Sequence, residues 1–390
     1  MVPRYFSSND KTDCFGCRAC EQVCRADAIY MEDDSEGFMY PVLDRHKCVD
    51  CGQCIVACPM ENSTDGNPMI EAFAAVHKDE SVLQDSSSGG VFTAIAECVL
   101  DMDGVVFGAV LENNYVFHHM AETKDELATM RGSKYVQSDL GNTLRLLRKC
   151  IIEGRIALFS GTPCQCAAAR NIVGDHQERL LTIEVVCHGV PSPGVFSDYV
   201  QWLSDVHRSP IRFLGFRAKQ KGRIGEIETY QTVTSIVTHA AYDSRFLTGF
   251  LRGYFLRPSC YECPYAAELR HSDITMCDFW GCESYHCQLD ELKGISGLMV
   301  NTLKGREWVE RASGSLYLIP TKVENIAAAN PNLQKPTPKP TERDLFFKDR
   351  IQMSFADLSK KYLRDNDAWK NRITARIPKQ IKQILKRIRR

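Results

Sequence analysis

The 390-residue chain has almost no net charge: 48 Lys and Arg stand against 49 Asp and Glu, a formal balance of −1. A whole-chain electrostatic attraction for nucleic acid is therefore excluded, and no nucleic-acid partner is expected. No apolar run reaches the ~18 residues needed to span a bilayer. The opening stretch MVPRYFSSNDKTDC has no apolar core of the kind a secretory signal requires. The pattern G-x-G-x-x-G is missing, which excludes an ordinary dinucleotide-binding loop. Apolar content is not lacking, at 44% hydrophobic residues, so the fold has no need of disulfide staples. These absences predict a cytoplasmic chain in a reducing compartment. There, 18 cysteines point to metal rather than to disulfides.

Eight of those cysteines form an internal repeat. Cys14, Cys17, Cys20 and Cys24 recur 34 residues later as Cys48, Cys51, Cys54 and Cys58. Spacing of x2, x2, x3 suits a 4Fe–4S cube: three thiolates on a short loop cap three irons, and the fourth cysteine reaches the other cluster. On that rule Cys14, Cys17, Cys20 and Cys58 hold one cluster, and Cys48, Cys51, Cys54 and Cys24 the second. Zinc ribbons use two C-x-x-C pairs across a longer loop, and this run is denser. Residues 1–66 are thus predicted to be a two-cluster ferredoxin domain. Such a module passes single electrons and does not choose substrates, so the function lies downstream.

After the ferredoxin, short apolar strands alternate with helical stretches. EAFAAV, GVVFGAV, YVFHHM, RIALFS and LLTIEVVC read as strands. SSSGGVFTAIAECVLDM reads as a loop entering a helix, and LGNTLRLLRKCII has helical periodicity. The alternation predicts an α/β or α+β core on a mixed sheet. Within it, SSSGG opens a helix, where backbone N–H groups make an anion site, although a Ser/Gly turn is commonly only a turn. RGSKYVQS offers Arg131 and Lys134 beside an aromatic residue, a set that suits phosphate or a ring but also a solvated loop. FSGTPCQC puts Cys164 at a helix start, which favours thiolate. VVCHGVPSP presents Cys187 and His188 at a strand end, and RPSCYECPYA adds Cys260 and Cys263. These four cysteines suffice for a third 4Fe–4S cluster or a structural zinc. Cys98 and Cys150 fall on helical patterns and read as core. Cys166, Cys277, Cys282 and Cys287 read mainly as structural, with Cys282 and Cys287 leaving the ligand set open.

The ordered set SSGG, RGSKYVQS, FSGTPCQ, VCHGVPSP, RPSCYECPYA and SDITMCDFWG resembles the coenzyme F420 hydrogenase/dehydrogenase beta-subunit family, in the form that carries an N-terminal two-cluster ferredoxin. The resemblance covers roughly three-quarters of the chain. It implies FAD and a third 4Fe–4S cluster, with the flavin converting one-electron traffic into hydride chemistry on an organic substrate. It implies a flavin lined by Ser87, Ser88, Gly89, Gly90, Arg131, Ser133, Lys134, Tyr135, Gln137, Gly161, Thr162 and Pro163. The third cluster would take Cys164, Cys187, Cys260 and Cys263, with Cys277 an alternative ligand where the family usually has glycine. His188 and Asp278 are the candidate catalytic residues. The implied activity is a flavin- and iron–sulfur-dependent oxidoreductase acting on an F420-like deazaflavin or a polysaccharide-pathway intermediate. Its redox partner would be ferredoxin or a similar protein. The alternative is an electron-transfer subunit that feeds a separate catalytic partner.

The expected fold class is α+β. The ferredoxin domain is followed by an α/β-type flavin and iron–sulfur domain with a mixed sheet over 67–325, a Pro-rich linker over 326–345 and a helical basic tail over 346–390. From Trp369 the tail carries nine Lys and Arg and no acid. Ile373, Ile377, Ile381, Ile384 and Ile388 fall on one helical face, so a basic amphipathic helix is expected to dock a membrane surface, at the inner face, or a partner.

Overall fold

A computed structural model describes residues 2–63, 66–219, 225 and 227–363. The first unit follows the cysteine repeat down to its backbone angles. Gly16 and Asp50 have φ of 67° and 52°, and Arg18 and Gly52 have φ of 59° and 72°. Each pair is separated by the repeat length, so both loops turn through the left-handed region at equivalent positions. Short helices Ala19–Val23 and Gln53–Ala57 follow those loops. Between them lies an antiparallel hairpin, β1 (Ile29–Asp33) and β2 (Met39–Leu43). Phe38, just before β2, and Tyr40 within it are buried.

The large unit is built on one mixed sheet. Its strands are β3 (Glu71–His77), β4 (Val105–Glu112), β5 (Tyr115–Ala121), β6 (Ala157–Gly161) and β7 (Leu180–Val185). After a separate three-stranded antiparallel sheet of β8 (Arg212–Gly215), β9 (Ile227–Gln231) and β10 (Ile236–Ala240), the chain returns with β11 (Ile274–Asp278), β12 (Ser296–Val300) and β13 (Leu316–Pro320). The main sheet runs β13-β3-β12-β11-β7-β6-β4-β5. Its centre, β11-β7-β6-β4, is parallel, and its flanks are antiparallel. Central strands buried on both faces read as continuous apolar runs, which is why RIALFS and LLTIEVVC were legible as strands.

Alternate residues of β4 feed two cores. Val106 and Val110 pack with helices Val91–Leu100 and Leu303–Ala312 on one face. Val105 and Phe107 pack with helices Thr143–Ile152 and Pro163–Val173 on the other. Ala19 and Ala57 of the ferredoxin sit in that second core. A third, aromatic core gathers Tyr199, Phe216, Phe246 and Phe255 with Phe38 and Tyr40 of the ferredoxin hairpin. The ferredoxin is therefore wedged between two cores rather than tethered at a distance.

The predicted linker over 326–345 is packed structure instead. Ile326 and Leu333 are buried, and Arg343 is buried in an ion pair with Glu36 at 2.6 Å. Proline removes a backbone donor but does not prevent packing, and here the buried side chains anchor the segment. Helices Arg343–Arg350 and Phe355–Tyr362 then place Phe346, Leu358 and Tyr362 in the aromatic core. The basic segment from Trp369 lies outside the described residues. Among those described, no helix is long and apolar enough to cross a membrane.

A candidate relay of cysteine sets ending at a cavity

The ferredoxin loops gather the first predicted set. Burial raises the Cys17 thiol well above its usual range, and Cys58, Cys14 and Cys164 push it the same way. Burial also raises Cys20, with Cys17, Cys14 and Cys58 adding to it. The crossover of Cys58 to the first loop is therefore present in the geometry. Burial raises Cys54, and Cys51 and Cys48 of the second set act in the same direction; Cys24, its expected fourth member, accepts from the Ala28 N–H at 3.3 Å. That set lies nearer the surface, where Cys51, Val49 and Val56 are exposed.

The third set forms where the carboxyl ends of β6 and β7 meet the segment around Pro258–Glu262. Helix Pro163–Val173 starts directly after β6, with a Thr162/Gln165 capping box and Pro163 at its first position. Cys164 follows, with the Thr162 hydroxyl 3.2 Å from its Sγ. The Val190 N–H donates to Cys260 Sγ at 3.4 Å, and the Gly189 N–H to Cys187 Sγ at 3.4 Å. Burial pushes Cys164 up to about 12, and Cys263 and Cys260 reinforce it. Burial raises Cys187 well above its usual range, with Cys260, Cys164 and Cys263 as its neighbours. Burial and the neighbouring Cys263 and Cys260 thiols thus act against the thiolate that the helix start favours. Cys277 stands apart from this set: its Sγ points to the Gly297 carbonyl at 3.8 Å. Among the described residues no three His, Cys, Asp or Glu groups close on a point as ligands of a single ion do.

The first and third sets adjoin. Tyr265, fully buried, lies beside Cys164, Cys17, Cys263 and Cys58. Its hydroxyl donates to the Pro59 carbonyl at 2.8 Å, and its ring meets Phe15 edge-on. One Nη of Arg18 in the first loop donates to both carboxylate oxygens of Asp139, at 2.6 and 2.8 Å, pinning the ferredoxin to the large unit.

On the far side of the third set is a cavity of about 490 Å³. It lies at the carboxyl ends of β6, β7 and β11, where open α/β sheets present ligand sites. Ser87, Ser88, Gly90, Arg131, Ser133, Lys134, Tyr135, Gly161 and Thr162 all line it, as do Cys187, His188 and Asp278. Ser87 Oγ accepts from the Ser133 N–H at 2.7 Å and joins the two loops. Gly90, at φ 80°, is the left-handed turn that enters helix Val91–Leu100. Burial pulls Lys134 down to about 7, while its ammonium donates to the Met130 and Arg131 carbonyls at 2.8 and 2.9 Å.

Three expected lining residues sit elsewhere. Gly89 packs against the backbone of β3 and β12, where a Cβ would overlap the Ala75 carbonyl oxygen. Pro163 is buried at the helix start. Gln137 turns away to donate to the Phe15 carbonyl at 2.9 Å and to accept from Arg257 at 3.1 Å. His188 lines the cavity with Nε2 at 3.2 Å from the Phe250 carbonyl oxygen and Nδ1 at 3.2 Å from the Thr337 hydroxyl. Asp278 receives a two-pronged Arg217 at 2.7 and 3.1 Å.

Arg217 and Lys219 escaped the sequence reading. Arg217 also donates to Tyr135 Oη at 3.0 Å and the Ser87 carbonyl at 3.1 Å, and it stacks on Trp280. Lys219 donates to the Leu83 and Ser88 carbonyls at 2.5 and 2.6 Å. Together they clamp the Ser/Gly loop. Two cations close together after a strand were the only signal available.

Family models match most of the chain. Residues 13–62 match the 4Fe-4S dicluster domain. Residues 72–145 and 154–325 match the N-terminal and C-terminal models of the coenzyme F420 hydrogenase/dehydrogenase beta subunit. An uncharacterized protein of Methanocaldococcus jannaschii is 26% identical over 208 residues, 44% of this chain and 56% of its own. An uncharacterized ferredoxin of the same organism is 37% identical over 49 residues, 12% of this chain and 29% of its own. One component of the Na(+)-translocating ferredoxin:NAD(+) oxidoreductase complex of Acetobacterium woodii is 36% identical over 59 residues, covering 15% and 16%. The chain thus spans about half or less of the length of these relatives. A chain from a structure of the F420-reducing NiFe hydrogenase complex of Methanosarcina barkeri aligns with a TM-score of 0.46 at 17% identity, covering 78% of this chain and 91% of that one.

Proposed function

The chain belongs to the coenzyme F420 hydrogenase/dehydrogenase beta-subunit family and carries a 4Fe–4S dicluster domain ahead of the family domains, and on that premise we propose that it is an iron–sulfur flavoenzyme. In this reading, single electrons from a ferredoxin or similar protein arrive at the exposed second set, around Cys51. They pass the first and third sets and leave in pairs, through FAD in the cavity, to an organic acceptor. An F420-like deazaflavin or a polysaccharide-pathway intermediate is the acceptor class. The observation that carries the reading is the double position of Cys187, which belongs to the third thiol set and lines the cavity.

The cavity's residues fit a flavin dinucleotide. Its volume of about 490 Å³ falls within the ~300–1,000 Å³ usual for small-molecule sites. Arg131 lines the cavity beside the joined Ser87 and Ser133 loops, and its buried Nε has no hydrogen-bond partner among the described residues. Bound there, FAD would supply the exchange between one-electron and two-electron chemistry. Arg217 holds Tyr135, Trp280 and the Ser87 loop as a preformed wall. His188 and Asp278 have hydrogen-bond partners within the wall, and we assign them to positioning.

Protein purified anaerobically should contain ~12 irons, three cubes of four, and one flavin. About eight irons, with no flavin retained after reconstitution, would leave only the ferredoxin and favour a subunit without its own substrate site. The His188→Gln variant separates positioning from proton transfer. With clusters and flavin intact, its turnover should stay close to that of the parent chain. A loss of ~10²–10⁴-fold would instead make His188 a proton donor.

A further inference from the structure

Arg257 is one of the largest fully buried side chains, at 1% exposure, and it forms no ion pair with a carboxylate among the described residues. Its Nε donates to the Cys14 carbonyl at 2.7 Å, one Nη to Gln137 Oε1 at 3.1 Å, and the other to the Met39 carbonyl at 3.1 Å. That last nitrogen also points at Cys14 Sγ, 3.6 Å away. The guanidinium plane lies over the Tyr40 ring at 4.1 Å. Arg257 also caps the turn Pro258–Glu262, where its carbonyl accepts from the Cys260 N–H at 2.9 Å, so Cys260 of the third set lies one turn away, and its charge acts on Cys260 and Cys164. Gly16 leaves room for it, since a Cβ there would meet Arg257 Nη1 at 2.5 Å.

A charge this deep in the protein requires a compensating charge. Neutral carbonyls, one amide and a ring satisfy its donors without balancing it. The negative groups that adjoin it are the cysteine ligands of two cluster sites. We propose that Arg257 is the counter-ion shared by the first and third clusters, a positioning residue that raises both reduction potentials and leaves the exposed second cluster unaffected. The proposal rests on the reading that both sets hold 4Fe–4S clusters. A positive charge and an N–H···S hydrogen bond both favour the more negative, reduced cluster, and these are recognised levers on cluster potential. Gln137 orients the fork, which explains why this residue of the RGSKYVQS motif turns away from the cavity. Lysine cannot reproduce the fork, because its single ammonium cannot reach two backbone carbonyls, Gln137 and a sulfur together.

The test is a redox titration of the full chain followed by electron paramagnetic resonance, for the parent, Arg257→Gln and Arg257→Lys. Iron and sulfide are measured first. If the parent holds only the ferredoxin complement, the three-cluster reading fails, and Arg257 has no second cluster to serve. If all clusters are present, Arg257→Gln should lower the reduced-to-oxidised ratio of two clusters at least ~10-fold at a fixed potential, a shift of ~59 mV for a one-electron couple. The third signal should not move, and Arg257→Lys should fall between parent and Gln. Unchanged potentials, or an equal shift in all three, would overturn the proposal. Should Arg257→Gln fail to fold, the parent labelled with guanidino-¹⁵N arginine decides by electron–nuclear double resonance. A ¹⁵N coupling to a reduced cluster, lost in Arg257→Lys, supports the proposal, and its absence from the parent overturns it.

Discussion

Replacing Cys187 with alanine should remove about a third of the iron, from ~12 to ~8 atoms per chain, and leave the ferredoxin absorbance in place. Cys187 follows β7, so its backbone is fixed by the sheet rather than by the metal. Its thiol faces Cys260, Cys164 and Cys263, and the Gly189 N–H already donates to its sulfur. Three thiolates without the fourth leave an open iron position, and the residue on the cavity wall becomes a methyl group. Reduction of the ferredoxin clusters by an external carrier should continue at the parent rate, because the exposed set around Cys51 is untouched. Reduction of flavin from those clusters should stop. Iron analysis and stopped-flow spectra of the same sample check both halves. A variant that keeps all its iron would exclude Cys187 from the set, and one that loses iron but still reduces flavin would break the proposed order of the relay.

That order follows from placement. The second set carries the exposed Cys51, the first and third sets meet at Tyr265, and Cys187 of the third lines the cavity. The shared aromatic core and the Arg18–Asp139 ion pair hold the ferredoxin against the large unit.

The parts legible in the sequence were those encoded locally. The ferredoxin ligands lie within two short loops, and the repeat carries its own turn positions at Gly16/Asp50 and Arg18/Gly52. The third set was legible because Cys164 and Cys187 each follow a strand and Cys260 and Cys263 form a C-x-x-C. The guanidinium of Arg257 was not legible, since its partner Cys14 lies 243 residues away in the chain. Arg217 reaches back 130 residues to Ser87. Composition misled at 326–345, where the Thr337 hydroxyl donates to the His188 carbonyl at 2.6 Å and Asn330 and Asn332 join the cavity wall. The three-stranded sheet of β8, β9 and β10 was also missed, because its strands are short and half polar.

The single most destabilising change among the buried polar groups should be Arg270→Met. Glu184 is fully buried in β7 and accepts from Arg270 Nε at 2.5 Å, Ser272 Oγ at 2.8 Å and Thr275 Oγ1 at 2.9 Å. Removing the guanidinium leaves a carboxylate with two hydroxyls and no counter-charge, a loss of ~3–5 kcal/mol for a broken buried pair. The double variant Glu184→Gln/Arg270→Met should recover much of that loss, because the remaining amide is neutral: its oxygen can accept from one of the Ser272 and Thr275 hydroxyls and its nitrogen can donate to the other. Denaturant melts of the two variants check this order. Iron content supplies a second, independent readout. Arg270 also donates to the Tyr265 and Ala267 carbonyls at 3.2 and 2.9 Å, and so ties the turn after Cys263 to the sheet. The double variant should therefore regain stability without regaining the third cluster's full occupancy, since neutralising Glu184 does nothing for that turn. Equal recovery of both would mean that the ion pair acts on the cluster only through the stability of the fold. Unequal recovery would mean that Arg270 serves two purposes through different atoms: Nε and one Nη hold the charge on β7, and the other Nη holds the loop that carries Cys263.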